Sequence, residues 1–270
     1  MKVIIYVNPE KDQNGIGLKT LTNRLEMHKI EYVITKFGDK MVDDGYSALF
    51  FIGGDGTILR RTDFANKSRT PIIGINGGKL GYLSEFERSE INDAVDLFAS
   101  GKLIKDCRAT MLVNFKGKEY LALNDVIIQR TYCEENRGMI INLSFYIDGT
   151  KIDTVVGDGM IACTPTGSTA YSLSAGGPIL TPGINAFSAT PISAHSLSQR
   201  PVIFSSDSKC EFELEKGYKA GLYVDGKLID EMIGGDRVLI VKAERDTIFL
   251  RRTNSNFYKK LTEKLHSRNV

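Results

Sequence analysis

Apolar residues fall along the chain in two textures that change near residue 103. In the first, short continuous apolar runs at residues 3–7, 48–52 and 71–75 each end in Gly or Asn. Continuous runs of this length suit strands buried on both faces of a parallel sheet. Between the first two runs, Leu18, Leu21, Leu25 and Met27 recur at roughly helical spacing over residues 17–29. Ile91, Ala94, Val95 and Phe98 repeat the pattern before Gly101, a natural helix stop. Alternating strands and helices predict an α/β domain over residues 1–102.

From residue 103 onward, residues 119–130, 139–152 and 222–229 show β-rich alternation. Asp148-Gly149 and Asp225-Gly226 stand between strand-like residues as two-residue hairpin turns. Further β-branched and aromatic runs at 210–214, 238–241 and 247–250 make residues 103–254 an all-β domain, a β-sandwich or a layered arrangement. In the remaining segment, residues 255–270, Phe257, Leu261 and Leu265 recur at helical spacing. They predict a short helix over residues 256–265 that packs back onto one of the two domains.

Composition narrows the class without deciding it. With 270 residues, 42% of them hydrophobic and 25% charged, the chain can bury one large core or two moderate ones. Thirty-five basic against 33 acidic residues leave a formal charge of +2, too weak a field to argue for nucleic acid or an anionic membrane, so a small-molecule ligand fits better. The opening MKVIIYVNPEKD lacks the apolar core and cleavage site of a signal peptide, and no apolar run approaches the roughly 20 residues of a bilayer-spanning helix. The expected location is cytoplasmic. Cys107, Cys133, Cys163 and Cys210 show no Cys-x-x-Cys spacing and read as buried or idle thiols. His28, His195 and His266 are too separated for a metal cluster; His28 and His266 read as surface residues and His195 as a structural hydrogen-bonding residue.

Two stretches fit neither texture. In Gly53-Gly54-Asp55-Gly56 an apolar strand runs into a glycine-rich turn, placing one carboxylate at the C-terminal edge of the parallel sheet, where open α/β sheets bind ligands. The glycines permit positive φ angles and close approach of phosphate oxygens to backbone N–H groups. An ordinary strand-to-helix turn with Asp55 as N-cap explains the same four residues equally well. The second stretch, residues 157–183, is rich in Gly, Ser, Thr and Pro. Residues 168–174 within it read as the first turns of a helix whose hydroxyl donors suit phosphate or ribose oxygens, with Tyr171 as a flat face for a base. A purely structural Ser/Thr-rich loop is the alternative. The phosphate loop Gly-x-x-x-x-Gly-Lys-Ser/Thr is absent: residues 15–20 have the wrong spacing and read as a loop entering the first helix, with contact to nucleotide phosphates as a lesser reading. No Gly-x-Ser-x-Gly elbow marks a hydroxyl nucleophile in residues 166–168.

Taken together and in order, Gly53-Gly54-Asp55-Gly56, Asn124-Asp125, Gly157-Asp158-Gly159, Thr164-Pro165-Thr166-Gly167-Ser168-Thr169-Ala170-Tyr171, Ser174-Ala175-Gly176-Gly177-Pro178 and Val224-Asp225-Gly226 resemble the NAD kinases, also called ATP-NAD kinases. The resemblance spans about residues 52–226. It implies a Rossmann-like N-terminal domain and a β-sandwich-like C-terminal domain, with NAD bound between them as substrate rather than redox cofactor. ATP is the implied phosphoryl donor, Mg²⁺ or another divalent cation the cofactor, and a homodimer or homotetramer the assembly.

Roles follow position by position. The resemblance makes Asp55 the catalytic aspartate, accepting the proton of the 2′-OH or holding the Mg²⁺-bound donor, and Gly56 a backbone contact to the substrate. Asn124 and Asp125 match an Asn-Glu pair that holds ribose hydroxyls, the acid here being shorter by one methylene. Thr169, Ala170, Tyr171 and Ser174 match nucleotide-binding positions, Asp158 the acceptor of the nicotinamide amide, Ser193 a later contact, and Arg60 a basic position that reaches a phosphate. Tyr82, Thr166 and Asp225 complete the implied substrate-binding set. Val156 departs from the pattern, since several members carry Arg there. Diacylglycerol and sphingosine kinases and 6-phosphofructokinases share a Gly-Gly-Asp turn but lack the 164–171 tract. A non-catalytic NAD sensor is the other rival, against which Asp55, Asn124 and Asp158 stand.

Overall fold

The computed structural model describes residues 1–36, 39–78, 81–131, 140–196 and 198–267, the side chains of His266 and Ser267 aside; Cys133 lies outside these residues. The chain divides into two compact units, Met1–Cys107 with Thr247–Val270, and Arg108–Asp246.

The first unit opens with β1 (Lys2–Val7), helix α1 (Ile16–Met27), β2 (Glu31–Thr35) and β3 (Ala48–Gly53). Short helices α2 (Asp55–Leu59) and α3 (Thr62–Ser68) lead to β4 (Ile72–Asn76), β5 (Phe86–Glu87), α4 (Ile91–Ala99) and β6 (Ile104–Arg108). Strands β1 to β5 pair in parallel in the order β2-β1-β3-β4, with β5 on β4. All six residues of β3 are buried, as its continuous apolar run predicts. Leu21 and Leu25 of α1 and Ile91, Ala94, Val95 and Phe98 of α4 share one core with Ile5, Phe50 and Ile52 of the sheet. Strand β2 escaped the sequence pattern because it is an edge whose Val33 and Ile34 are exposed. His28, read as a surface residue, is half-exposed and lies 2.7 Å from Asp96, which Arg24 also engages, across α1 and α4.

The second unit holds β7 (Met111–Phe115), β8 (Lys118–Ala122), β9 (Asp125–Arg130), β10 (Ile141–Ile147), β11 (Thr150–Gly157) and β12 (Gly159–Cys163). After the one-turn helix α5 (Tyr171–Ser174) come β13 (Ala186–Ile192), β14 (Val202–Ser205), β15 (Cys210–Leu214), β16 (Lys219–Val224), β17 (Lys227–Ile233) and β18 (Arg237–Lys242). They form two six-stranded sheets, β11-β10-β15-β18-β7-β8 and β14-β13-β12-β9-β16-β17. Val113, Phe145, Phe212 and Ile240 of one sheet share a core with Ile128, Met160, Phe187 and Leu222 of the other, a sandwich held by its inward-facing residues. Both expected hairpin turns are present: Asp148 and Gly149 have φ 49° and 78°, Asp225 and Gly226 47° and 76°. Positive φ at both central residues is what a type I′ turn requires. Lys116-Gly117, between β7 and β8, adopts the same pair of signs without the Asp signal.

The 247–250 run, expected within the all-β domain, belongs instead to the first unit. As β19 (Thr247–Arg251) it joins the parallel sheet beside β4, with Phe249 opposite Ile72. A β-branched run announces a strand but carries no label for the sheet it will join. The chain then ends in α6 (Phe257–Ser267), also in the first unit, where Lys260 Nζ donates to the Ser84 carbonyl at 2.9 Å and to Glu85 at 2.7 Å. Among the described residues no helix is long and apolar enough to cross a membrane.

Candidate active site

Asp55 stands just beyond the C-terminal end of β3 as the first residue of α2, and its carboxylate is half-buried. It does not cap its own helix: the N-cap is Gly54, and the Asp55 oxygens accept the backbone N–H groups of Tyr82 (2.8 Å) and Leu83 (3.1 Å). The turn glycines do not use positive φ as the sequence suggested; Gly54 is extended, at φ −90° and ψ 179°. Gly53 is needed for space, because a Cβ there would stand 2.5 Å from Thr57 Oγ1, while Gly54 and Gly56 face open space. Gly81 is the more demanding position: its Cβ would fall 1.9 Å from Asp55 Oδ1. The turn that begins at Gly81 is thus pressed onto the carboxylate. Arg60 is exposed at the end of α2, and Tyr82 is half-buried with the Lys264 ammonium 5.2 Å from its ring. Residues 15–20 offer phosphates little, since buried Asp12 already takes the Gly17 and Leu18 amides at 2.9 and 2.8 Å.

In the second unit the implied residues gather along β9 and the segments that flank it. Asp225, in the turn between β16 and β17, accepts the backbone N–H groups of Leu123 (2.8 Å), Asn124 (2.7 Å) and Asp125 (3.2 Å). In this position Asp225 is a clamp that fixes the entry to β9. Asn124 is half-buried, whereas Asp125 is only 4% exposed and stands opposite Cys163 on β12. Burial pushes the Asp125 carboxyl up to about 7, with the Asp225 charge beside it adding to the shift.

At the far end of β9, Gln129 Nε2 donates to Tyr171 Oη at 3.4 Å, and Arg130 Nε lies 2.8 Å from Asp158 Oδ1. Ser193 is exposed with φ 46°, and the Asp158 N–H donates to its neighbour Ile192. Gly157 permits this approach, since a Cβ there would meet the carbonyls of Ile192 and Ser193 at 2.8 and 2.9 Å. Neither Gln129 nor Arg130 was singled out from the sequence; a cation closing an apolar strand was the available signal. His195 uses its backbone N–H on Val156, and its side chain is exposed.

The 164–180 tract is mostly internal carpentry. Thr164 Oγ1 donates to the Leu123 carbonyl and accepts the Gly167 N–H; Ser168 Oγ bridges Pro165, Leu180 and its amide; Ser172 pairs with Thr190. Thr164, Ser168 and Ser172 are fully buried. Thr169 bonds the Thr166 carbonyl, and Thr166 Oγ1 accepts from Arg108 at 3.4 Å. A Cβ on Gly167 would stand 2.0 Å from the Asn124 carbonyl, so the tract is locked to the residue before β9. The expected helix over 168–174 is a 3₁₀ turn, Gly167–Thr169, and a single α turn, broken at Ala170 by φ −95° and ψ −126°. Only Tyr171 and Ser174 among the implied tract residues are exposed, with Ala170 half-buried.

Two family models match the chain: the ATP-NAD kinase N-terminal domain over residues 2–103 and the ATP-NAD kinase C-terminal domain over residues 123–252. An NAD kinase of Caldicellulosiruptor bescii is 34% identical over 98% of this chain and 99% of its own length. The chain belongs to the NAD kinase family. An NAD kinase of Ruminiclostridium cellulolyticum is likewise 34% identical, over 99% of this chain and 98% of its own length. The fold is also that of yeast NADH kinase, solved with NADH (TM-score 0.83, 24% identity, 98% of this chain and 87% of that one). An Archaeoglobus fulgidus NAD kinase solved with ATP gives a TM-score of 0.79 at 23% identity, over 99% of both chains.

For a member of the NAD kinase family, the local geometry separates two kinds of residue within the implied set. Asp55, Asn124, Tyr171, Ser174 and Ser193 present side chains with some exposure, while Asp125, Thr166, Thr169 and Asp225 are buried or spent on backbone groups. Among the described residues no group of three or more His, Cys, Asp or Glu side chains could hold a metal ion. A half-buried single carboxylate such as Asp55 still suits Mg²⁺, which binds through one or two carboxylates while substrate phosphates and water fill its other positions.

Proposed function

We infer that this chain is an NAD kinase that transfers the γ-phosphoryl group of ATP to the 2′-OH of the adenosine ribose of NAD, giving NADP and ADP. Similarity to NAD kinases along nearly the whole chain carries the reading. In the transfer a bond forms between the 2′-oxygen and the γ-phosphorus, the bond from that phosphorus to the bridging oxygen of ADP breaks, and the hydroxyl proton leaves. Such transfers depend chiefly on holding the reacting oxygens in line and neutralising phosphoryl charge.

Asp55 is the residue we assign to that centre. Its carboxylate, fixed by two amides, receives the hydroxyl proton or holds the donor's Mg²⁺, whose charge would neutralise the phosphates. Asn124 meets the ribose, and Asp125, buried behind it, shapes the same corner. Tyr171 and Ser174 offer a flat face and a hydroxyl to the nucleotide, and Gly56, Arg60, Tyr82, Ala170 and Ser193 complete the contacts. Asp158, paired with Arg130, keeps one acceptor for the nicotinamide amide. A cytoplasmic location belongs to the same proposal, as does assembly into a homodimer or homotetramer, the assembly resting on the family resemblance.

Incubating the purified protein with NAD, ATP and Mg²⁺ and following NADP is the direct test. Wild-type protein is expected to form NADP; no product with any phosphoryl donor would favour a non-catalytic NAD-binding protein. Asp55→Asn is expected to lose at least about 10²-fold in kcat, the scale of a positioned acid–base group. Near-normal turnover in a folded Asp55→Asn protein would sink the assignment.

A further inference from the structure

We propose that the buried ion cluster of Glu85, Arg251 and Lys260 is a positioning device for Asp55, acting through the turn of residues 81–85. The proposal rests on Asp55 being the reaction centre, and every group in it lies in the first unit.

Tyr82 and Leu83 donate the two amides that hold the Asp55 carboxylate. The same turn is gripped from behind by the returning end of the chain. Arg251 Nη2 donates to the Tyr82 carbonyl at 3.4 Å and Nη1 to Glu85 at 3.0 Å. Lys260 Nζ donates to the Ser84 carbonyl at 2.9 Å and to Glu85 at 2.7 Å. Ser255 Oγ adds a bond to Glu85 at 2.9 Å, and the Glu85 N–H donates to the Gly74 carbonyl of β4 at 2.9 Å. Arg251 is held in turn by Asp106 through Nε. The peptide unit between Tyr82 and Leu83 therefore points its N–H at Asp55 and its carbonyl at Arg251, and the next carbonyl but one, that of Ser84, faces Lys260.

Stability alone does not account for this construction. The side chains of Arg251, Glu85 and Lys260 are only 5, 4 and 15% exposed. Two cations buried against Glu85, with Asp106 beside Arg251 at the rim, lose solvation that their attraction barely offsets, and apolar residues of similar volume commonly do as well. Burial by itself would push the Glu85 carboxyl up, yet Lys260 and Arg251 hold it below the usual carboxylate range, so Glu85 stays ionised at neutral pH. What the charges gain is direction: both cations are aimed at main-chain carbonyls of the one turn that touches Asp55. With Gly81 leaving no room for even a methyl group against Asp55 Oδ1, a shift of that turn moves the carboxylate.

Lys260→Met in the full-length protein tests this, because it removes the ammonium and keeps the stem. The expected result is a fall of about ten- to 100-fold in kcat, the penalty of an ångström-scale misplacement, with KM for NAD and ATP near wild type. Lys260→Arg, which keeps charge and donors, should restore most of the loss. Hydrogen exchange gives a readout independent of turnover: the Tyr82 and Leu83 amides should exchange faster in Lys260→Met, while amides of β3 and β4 keep their protection. Glu85→Gln, nearly isosteric, carries the same test if Lys260→Met fails to fold. Unchanged protection at Tyr82 and Leu83 in a folded variant overturns the proposal, and so does a general loosening that reaches β3. If wild-type protein forms no NADP, the activity reading fails on its own and the exchange measurement still decides the positioning role.

Discussion

Asp125 and Asp225 bring two carboxyl groups to one corner of the second unit and are held there in opposite ways. Asp225 spends its oxygens on three backbone N–H groups, which suits the ionised form. Asp125 is buried at the start of β9, and burial, reinforced by the Asp225 charge, raises it to about 7. In the unfolded chain an Asp titrates near 3.9. Between about pH 4 and pH 7 the native state therefore keeps a proton that the unfolded state has lost, and stability falls as pH rises through that window. Asp125→Asn removes the slope, so its urea midpoint should gain on wild type between pH 5 and pH 8; parallel pH profiles would show that the carboxyl is not buried in this way. The Asn124-Asp125 pair is legible in the sequence as part of the family resemblance, but its unequal burial is not. Exposure of neighbouring residues depends on which strand face each occupies and on what covers that face.

At the scale of elements, the turn between β16 and β17 does more than reverse the chain. Its Asp225 reaches back about a hundred residues to fix residues 123–125 at the entry to β9, and the Thr164–Gly167 turn closes on the same segment. Asp225→Ala leaves three donors without their acceptor and should cost about 2–3 kcal/mol in a urea melt, the range for losing bonds to a charged group. The same variant should also lower the titration point of Asp125, which a carboxyl-detected NMR titration would record. Sequence pattern located these elements well: Asp-Gly turns, the end of β3 and the helix before Gly101 all follow from local chemistry. It did not sort the hydroxyls of the 164–174 tract, because a serine that staples a loop and a serine open to a ligand have the same local signature. Only their partners, Leu123, Leu180 and Thr190, tell Thr164, Ser168 and Ser172 apart from Tyr171 and Ser174.

At the scale of the molecule, the chain leaves its first unit along β6, builds the sandwich, and returns as β19 and α6. Phe249, 1% exposed, anchors that return against β4. Phe249→Ala should cost about 3–5 kcal/mol, the usual range for truncating a buried aromatic. Hydrogen exchange should place that loss in β3, β4 and β19, with the strands of the second unit unaffected; an equal loss in both units would contradict the division. Family membership, the two textures, the hairpin turns and the carboxylate at the end of β3 were determined by the sequence itself, since each depends on residue type and spacing within a few positions. The destination of β19, the clamp by Asp225 and the grip of Arg251 and Lys260 on the turn at Asp55 were decided by tertiary structure. They join residues 100 or more positions apart, and pairing at that range is set by the shape and complementarity of surfaces that exist only once the chain has folded.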